Sequence, residues 1–100
     1  MTKQKSKKRR SIKKIAAQPW RLEVEYDAKQ NDWGIVDGEL RAAVGHSDGS
    51  GMTVWGTRDH AWYVGSKATA LRKRDRVMVL FGKLRVKGEY KVAVVRLAKD

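Results

Sequence analysis

Residues 76–86 read RVMVLFGKLRV, and the fold depends on how this segment is interpreted. The segment is apolar on both faces and is interrupted by Gly82, a pattern typical of a buried strand that bends at a glycine. Residues 87–89 (KGE) predict a turn, and residues 90–98 (YKVAVVRLA) predict a last strand that is rich in valine. We therefore expect two consecutive strands at the C-terminal end of the chain.

A short helix is predicted immediately before this pair of strands, within residues 58–74. Ser66 is suited to an N-cap, because its side-chain oxygen can accept a hydrogen bond from a backbone amide of the first turn. Residues 67–73 (KATALRK) are good helix formers apart from Thr69, and cations near the C-terminal end match the helix dipole.

A half-buried strand is predicted at the start of the body, where Leu22, Val24 and Tyr26 alternate with charged residues. A period of two is the signature of a strand with one face in the core. Residues 29–32 (KQND) have turn chemistry and end this strand.

A hairpin is predicted next, because the Asp37-Gly38 dipeptide suits a two-residue turn between short strands at 33–36 and 39–44. Residues 45–51 (GHSDGSG) contain no apolar residue and predict a loop, and extended structure is expected to resume at residues 52–55.

About five short strands, one helix before the last two strands and a glycine bend favour a mainly β protein that closes as a small barrel. The order helix, residues 76–85, turn and residues 90–95 resembles the second half of the oligonucleotide-binding (OB) fold of single-stranded DNA-binding proteins. In that family a strand containing Val, Gly and Leu and its returning partner follow the helix. The resemblance covers residues 52–98 and implies a five-stranded OB-like barrel that binds single strands.

Charge is distributed unevenly along the chain, whose net charge is +12. Residues 1–14 contain eight cations and no acid, residues 15–59 contain four basic and eight acidic side chains, and residues 60–100 contain eleven basic and three acidic ones. We expect residues 1–18 to be a disordered basic arm and residues 19–100 to be one domain. Such a charge is typical of a protein that binds a polyanion, because each Lys or Arg docked on a phosphate releases a counterion.

The composition excludes several classes of protein. The chain has no cysteine, so disulfide frameworks and thiolate metal sites are absent. No window reaches the roughly 20 apolar residues of a membrane span, and no apolar core follows the charged arm as in a signal peptide. We expect a cytoplasmic or nucleoid-associated protein with no membrane partner, and leave a nuclear or mitochondrial location open.

Aromatic residues among cations are the chemistry of single-strand binding, since bases stack on rings while Lys and Arg neutralise phosphates. Among the aromatic residues, Trp55 is expected to be exposed, whereas Trp20, Tyr26 and Phe81 are expected in the core. The predicted nucleic-acid-binding residues are Lys7, Lys8, Arg9, Arg10, Trp33, Arg41, Trp55, Arg58, Trp62, Tyr63, Arg72, Lys73, Arg74, Lys83, Arg85 and Arg96.

Signals of catalysis are weak, so no catalytic residue, metal site or cofactor is predicted. His46, Ser47 and Asp48 are neighbours on a glycine-rich loop and cannot converge on each other as base, nucleophile and orienting acid. His46 and His60 would give a metal at most two imidazoles, and both are expected on the surface. Residues 65–69 (GSKAT) imitate the end of a phosphate loop without its essential spacing.

These observations favour a non-enzymatic protein that binds single-stranded nucleic acid, DNA before RNA, through a basic and aromatic barrel face aided by the arm. One alternative is an RNA-binding protein associated with translation or the ribosome. Another is a dimeric interaction subunit, in which the acidic residues 23–48 of one copy contact the basic half of a second copy.

Overall fold

A four-stranded antiparallel sheet and two helices make up residues 18–97, the part of the chain that the computed structural model describes. The predicted basic arm lies outside the described residues apart from Gln18. In chain order the elements are β1 (Trp20–Asp27), α1 (Trp33–Val44), β2 (Gly49–Met52), β3 (Thr57–Val64), α2 (Lys67–Leu84) and β4 (Tyr90–Arg96). The strands lie in the order β2-β3-β1-β4, which is the ferredoxin-like arrangement of a β-α-β-β-α-β chain.

The prediction of a mainly β, five-stranded closed barrel is wrong. β2 and β4 are the two edges of an open sheet, and within residues 18–97 no strand joins them. Both helices pack on one face of this sheet, where β1 contributes Leu22, Val24 and Tyr26 and β3 contributes Trp62 to a common core. The opposite face of the sheet is not covered by either helix.

The segment 76–86 is helical through Leu84 rather than a strand, so the motif behind the OB resemblance has a different structure here. The helix begins at the predicted N-cap, where the Ser66 hydroxyl accepts a hydrogen bond from the Thr69 amide at 3.2 Å. Val77 and Phe81 are four residues apart and bury one stripe of the helix against the sheet. An apolar run alone does not distinguish a helix from a strand, and here the run continues a helix that nothing interrupts. A Cβ at Gly82 would meet no atom within 4 Å, so no close approach requires glycine at this position of the last turn.

The hairpin predicted around Asp37-Gly38 is also wrong, because Trp33–Val44 form the single helix α1. Asp32 caps this helix by accepting a hydrogen bond from the Ile35 amide at 3.3 Å. Val36, Leu40 and Val44 recur every four residues and are buried, so helical periodicity prevailed over the local turn signal.

β3 was not predicted, because two of its inward positions hold Arg58 and His60 rather than apolar residues. Four predicted elements are confirmed: the strand β1, the turn after it, the turn at residues 87–89 and the strand β4. The last of these turns depends on Gly88, whose φ of 79° lies in the left-handed region.

Aromatic side chains form part of the core between the helices and the sheet. Tyr26 and Phe81 are buried as expected, with ring centroids 5.8 Å apart in an edge-to-face contact, and Phe81 makes a second such contact with Tyr90 at 5.0 Å. Trp20, expected in the core, is half-buried instead. The Lys67 ammonium and the Arg96 guanidinium lie 5.7 and 5.3 Å from its ring.

Candidate functional site

The face of the sheet opposite the helices is acidic. By strand register it carries four carboxylates with two cations, namely Glu23, Glu25, Asp27, Asp59, Arg21 and Lys91. Both cations are already paired on this face: Arg21 with Glu23, and Lys91 with Glu23 at 3.4 Å and with Glu25 at 3.8 Å. A polyanion would therefore meet excess negative charge on this side.

The outer surface of α2 is basic. Arg72, Arg76 and Lys83 are exposed, and their spacing of four and seven residues places them within about 40° of each other around the helix axis. They extend over about 16 Å at 1.5 Å per residue. Asp75 is the single acid within α2, and it pairs with Arg74 at 3.0 Å. We call Arg72, Arg76 and Lys83 the α2 stripe.

The other predicted cations are distributed around the body. Lys73 donates a hydrogen bond to the Val44 carbonyl at 3.0 Å, so its ammonium group contacts the C-terminal end of α1 and not only solvent. Arg85 is exposed just after α2, Arg96 stacks on Trp20, and Arg41 is exposed on α1. The predicted arm residues Lys7, Lys8, Arg9 and Arg10 lie outside the described residues.

The four predicted stacking rings do not share a surface. Trp62 is buried and its indole N–H donates to the Gly45 carbonyl at 3.0 Å, whereas Tyr63 is half-buried on the acidic face of the sheet. Trp33 is exposed at the start of α1, and the Arg58 guanidinium lies 5.1 Å from its ring. Trp55 is 79% exposed, as expected, but it lies in the β2–β3 turn and not on a strand.

A polar cluster that sequence reasoning missed connects α1 to β1 and β3, and Asp37 lies at its centre. One carboxylate oxygen, Oδ1, accepts hydrogen bonds from the Tyr26 hydroxyl at 2.6 Å and from His60 Nε2 at 2.8 Å. The other oxygen, Oδ2, accepts a hydrogen bond from Arg58 Nε at 2.8 Å and forms an ion pair with Arg58 Nη2, also at 2.8 Å. His60 Nδ1 lies 3.1 Å from the Ser47 hydroxyl. Because a carboxylate only accepts, Nε2 carries the hydrogen, and Nδ1 of the neutral ring accepts from Ser47.

The cluster changes the acidity of its members in opposite directions. Burial opposes ionisation of Asp37, but the hydrogen bonds from Tyr26, His60 and Arg58 outweigh it and lower the pKa of this carboxyl group. Burial and the hydrogen bond to Asp37 raise the pKa of the Tyr26 hydroxyl. Asp37 is therefore an ionised acceptor and Tyr26 a permanent donor at neutral pH.

A recess of about 280 Å³ lies beside this cluster, between α1 and the β2 side of the sheet. Its lining residues include two arginines, two histidines and two serines, namely Arg41, Arg58, His46, His60, Ser47 and Ser50. Among residues 18–97, Asp37 is the single acidic residue that lines it. We call this recess the Asp37 pocket.

The signal for this pocket in the sequence was slight. His46 is exposed as expected, but His60 is only 8% exposed, so its prediction as a surface residue is wrong. Asp37 and Ser47 lie 23 and 13 residues before His60, and no local sequence pattern indicates that these three side chains are in contact. The alternation of Arg58, His60, Trp62 and Val64 along β3 was the one pattern that placed His60 on the helix side.

No family model, curated protein or solved structure matches this chain. The similarity of residues 52–98 to OB proteins therefore gains no support from a relative. Among residues 18–97, no helix has the length and apolar character needed to span a membrane. No cluster of three or more His, Cys, Asp or Glu side chains in that range is arranged to hold a metal ion.

Proposed function

We propose that this protein binds single-stranded nucleic acid without catalysing a reaction, and that the strand lies along the helix side of the sheet. The observation that carries this proposal is the separation of charge between the two sides of the domain. The α2 stripe presents three cations in a row, whereas both cations of the opposite face are paired with glutamates. A phosphate backbone is attracted to the first surface and repelled from the second.

A single strand fits this surface better than a duplex does, because it is flexible enough to follow a row of cations and to bend toward exposed rings elsewhere on the domain. Trp33 offers such a ring on α1, and Trp55 offers another in the β2–β3 turn, where it borders the acidic residues Glu25 and Asp27. Single-stranded DNA is the ligand that we propose first, and RNA of the same length is the alternative that is titrated in parallel.

The experiment compares two variants that each lose two positive charges from opposite sides of the sheet. Arg72→Gln with Arg76→Gln changes the α2 stripe, and Arg21→Gln with Lys91→Gln changes the acidic face. Each protein is titrated with single-stranded DNA, RNA and duplex DNA at several salt concentrations. We expect the stripe variant to lower the slope of log K against log salt by about 1.4 on single strands, at about 0.7 per lost contact.

The control variant should keep the slope of the unchanged protein. If both variants lower the slope equally, binding follows net charge alone and the assignment to the helix side is wrong. If neither slope changes, the contacts lie elsewhere, and equal affinity for single strands and duplex would contradict the single-strand preference.

Charge separation also supports a second candidate function, an assembly subunit in which the acidic face of one copy contacts the α2 stripe of another. Such a contact joins two different surfaces, so it forms rings or open chains rather than a two-fold dimer. Light scattering at low and high salt tests it. The mass should exceed that of a monomer at low salt and fall as salt screens the contact.

A further inference from the structure

The Asp37 pocket gathers hydrogen-bond donors that the internal contacts leave available. A guanidinium group has five N–H donors. Arg58 uses Nε and Nη2 on Asp37 and one N–H of Nη1 on the Gly51 carbonyl at 3.3 Å. Two of its N–H groups are not used in these three contacts, and Arg58 lines the recess.

Positive charge exceeds negative charge in this recess even when both histidines are neutral. Arg41 and Arg58 contribute two positive charges against the single carboxylate of Asp37. That carboxylate already accepts three hydrogen bonds, from Tyr26, His60 and Arg58 Nε, and is ion-paired with Arg58 Nη2, so both of its oxygens are engaged by the protein. The groups left for a ligand are therefore mainly donors, which suits an oxyanion.

Asp37 also fixes these donors in place before any ligand enters. Its bond to two nitrogens of Arg58 sets the plane of the guanidinium group, and the Trp33 ring lies 5.1 Å from that group. Its bond to His60 orients the imidazole toward Ser47. Donors that are held by their own partners lose little freedom on binding, so such a site binds more tightly than flexible surface cations do.

We propose that the Asp37 pocket binds a phosphate monoester, and specifically the terminal phosphate of a nucleic acid strand. The recess of about 280 Å³ lies just below the usual range for ligand pockets, roughly 300–1,000 Å³, and so suits a compact group. A terminal phosphate can enter a recess that the continuous backbone passes over, and it carries more charge than an internal phosphodiester. The assignment of this phosphate to a nucleic acid strand rests on the function proposed above. It agrees with that function because the pocket and the α2 stripe lie on the same side of the sheet.

The test compares one single-stranded DNA sequence in three forms, with a 5′-phosphate, with a 3′-phosphate and with hydroxyl groups at both ends. The measured quantity is the ratio of the dissociation constants of the hydroxyl form and of each phosphorylated form. One additional charge-assisted contact predicts a ratio of about ten for one of the two ends. Arg41→Gln and Ser50→Ala change exposed walls of the pocket, and each should bring that ratio toward one. Arg76→Gln on the α2 stripe should weaken all three forms equally and keep the ratio.

Inorganic phosphate separates the pocket from the proposed strand binding. Amide and imidazole NMR signals of Ser47, Ser50 and His60 should shift during a phosphate titration, and Arg41→Gln should reduce those shifts. If these signals shift but no strand binds, the pocket is a phosphate site and only the proposed strand binding is wrong. If strands bind with a ratio of one at both ends and phosphate moves no pocket signal, the pocket proposal is overturned and strand binding stands. Shifts confined to α2 would also overturn it.

Discussion

The course of residues 76–84 can be tested by comparing three substitutions whose effects differ between a helix and a strand. In a strand, Val77, Val79 and Phe81 would share one face and would be buried together. In α2 they separate: Val77 is 0% and Phe81 is 1% exposed, whereas Val79 is 59% exposed. Each valine-to-alanine replacement removes the same side-chain carbon groups, but at Val77 these groups are buried and at Val79 they are exposed to solvent.

The expected magnitudes follow from burial. Val77→Ala removes two buried carbon groups at about 0.8 kcal/mol each and leaves a small cavity, so it should lower the free energy of unfolding by about 2 kcal/mol. Val79→Ala removes exposed surface and replaces a β-branched residue by the best helix former, so it should change stability by less than about 0.5 kcal/mol. Phe81→Ala should cost about 3–5 kcal/mol, which is much of the roughly 4–12 kcal/mol available to a domain of this size.

Urea denaturation followed by far-ultraviolet circular dichroism measures all three variants under one condition. Val77→Ala is the main reporter, and Phe81→Leu replaces Phe81→Ala if the alanine variant does not fold. The slopes against urea concentration should agree, so that midpoints report stability alone. An equal loss for Val79→Ala and Val77→Ala would refute the helical assignment.

Substitutions at three further residues test the N-cap of α2, the polar cluster and the exposed ring. Ser66→Ala should destabilise the domain by about 1 kcal/mol in thermal melts, whereas Ser66→Asp, which keeps a cap acceptor, should not. The low pKa of Asp37 in the folded state means that its stabilisation is complete above its unfolded pKa, about 3.9, and is lost as pH falls through the folded value. The difference in stability between the unchanged protein and Asp37→Asn should therefore be largest near pH 6 and shrink below pH 4, and a constant difference would contradict the ionised cluster. Trp55→Ala should leave the melting temperature nearly unchanged and weaken single-strand binding by about 1–3 kcal/mol, and a large fall in melting temperature would show that the ring is structural.

The parts of the fold that local sequence signals determine were predictable. Alternation around Leu22, Val24 and Tyr26 predicted β1, and the cap at Ser66 predicted the start of α2. Two of the errors, the strand predicted at residues 76–86 and the hairpin predicted at Asp37-Gly38, share one cause: a local signal was taken as decisive where a helical period was present. Asp37-Gly38 looks like a hairpin turn in isolation, yet Val36, Leu40 and Val44 repeat at helical spacing across it.

The candidate site was harder to predict, because its residues meet only through the tertiary fold. An OB-like barrel would bring rings and cations together on a common strand surface. The actual fold instead gathers Asp37, His60 and Ser47 from a helix, a strand and a loop. Trp55 is exposed as predicted, but the prediction assumed a strand at residues 52–55 with Met52 and Val54 on the opposite, buried face, and both of these residues are exposed as well.

The Asp37 cluster is difficult to explain by stability alone. Burying an ion pair costs desolvation that the attraction between its charges often only offsets, and apolar side chains of similar volume would hold α1 to the sheet as well. Removing one member of the cluster is costly, because it leaves the others buried without a partner. Arg58 therefore contributes more than attachment: Asp37 holds it in one orientation, and two of its N–H groups remain beyond its three protein contacts at the recess. Because Arg58 of β3 contacts Asp37 of α1 and also lines the recess, an anion that binds Arg58 should also stabilise the contact between α1 and β3.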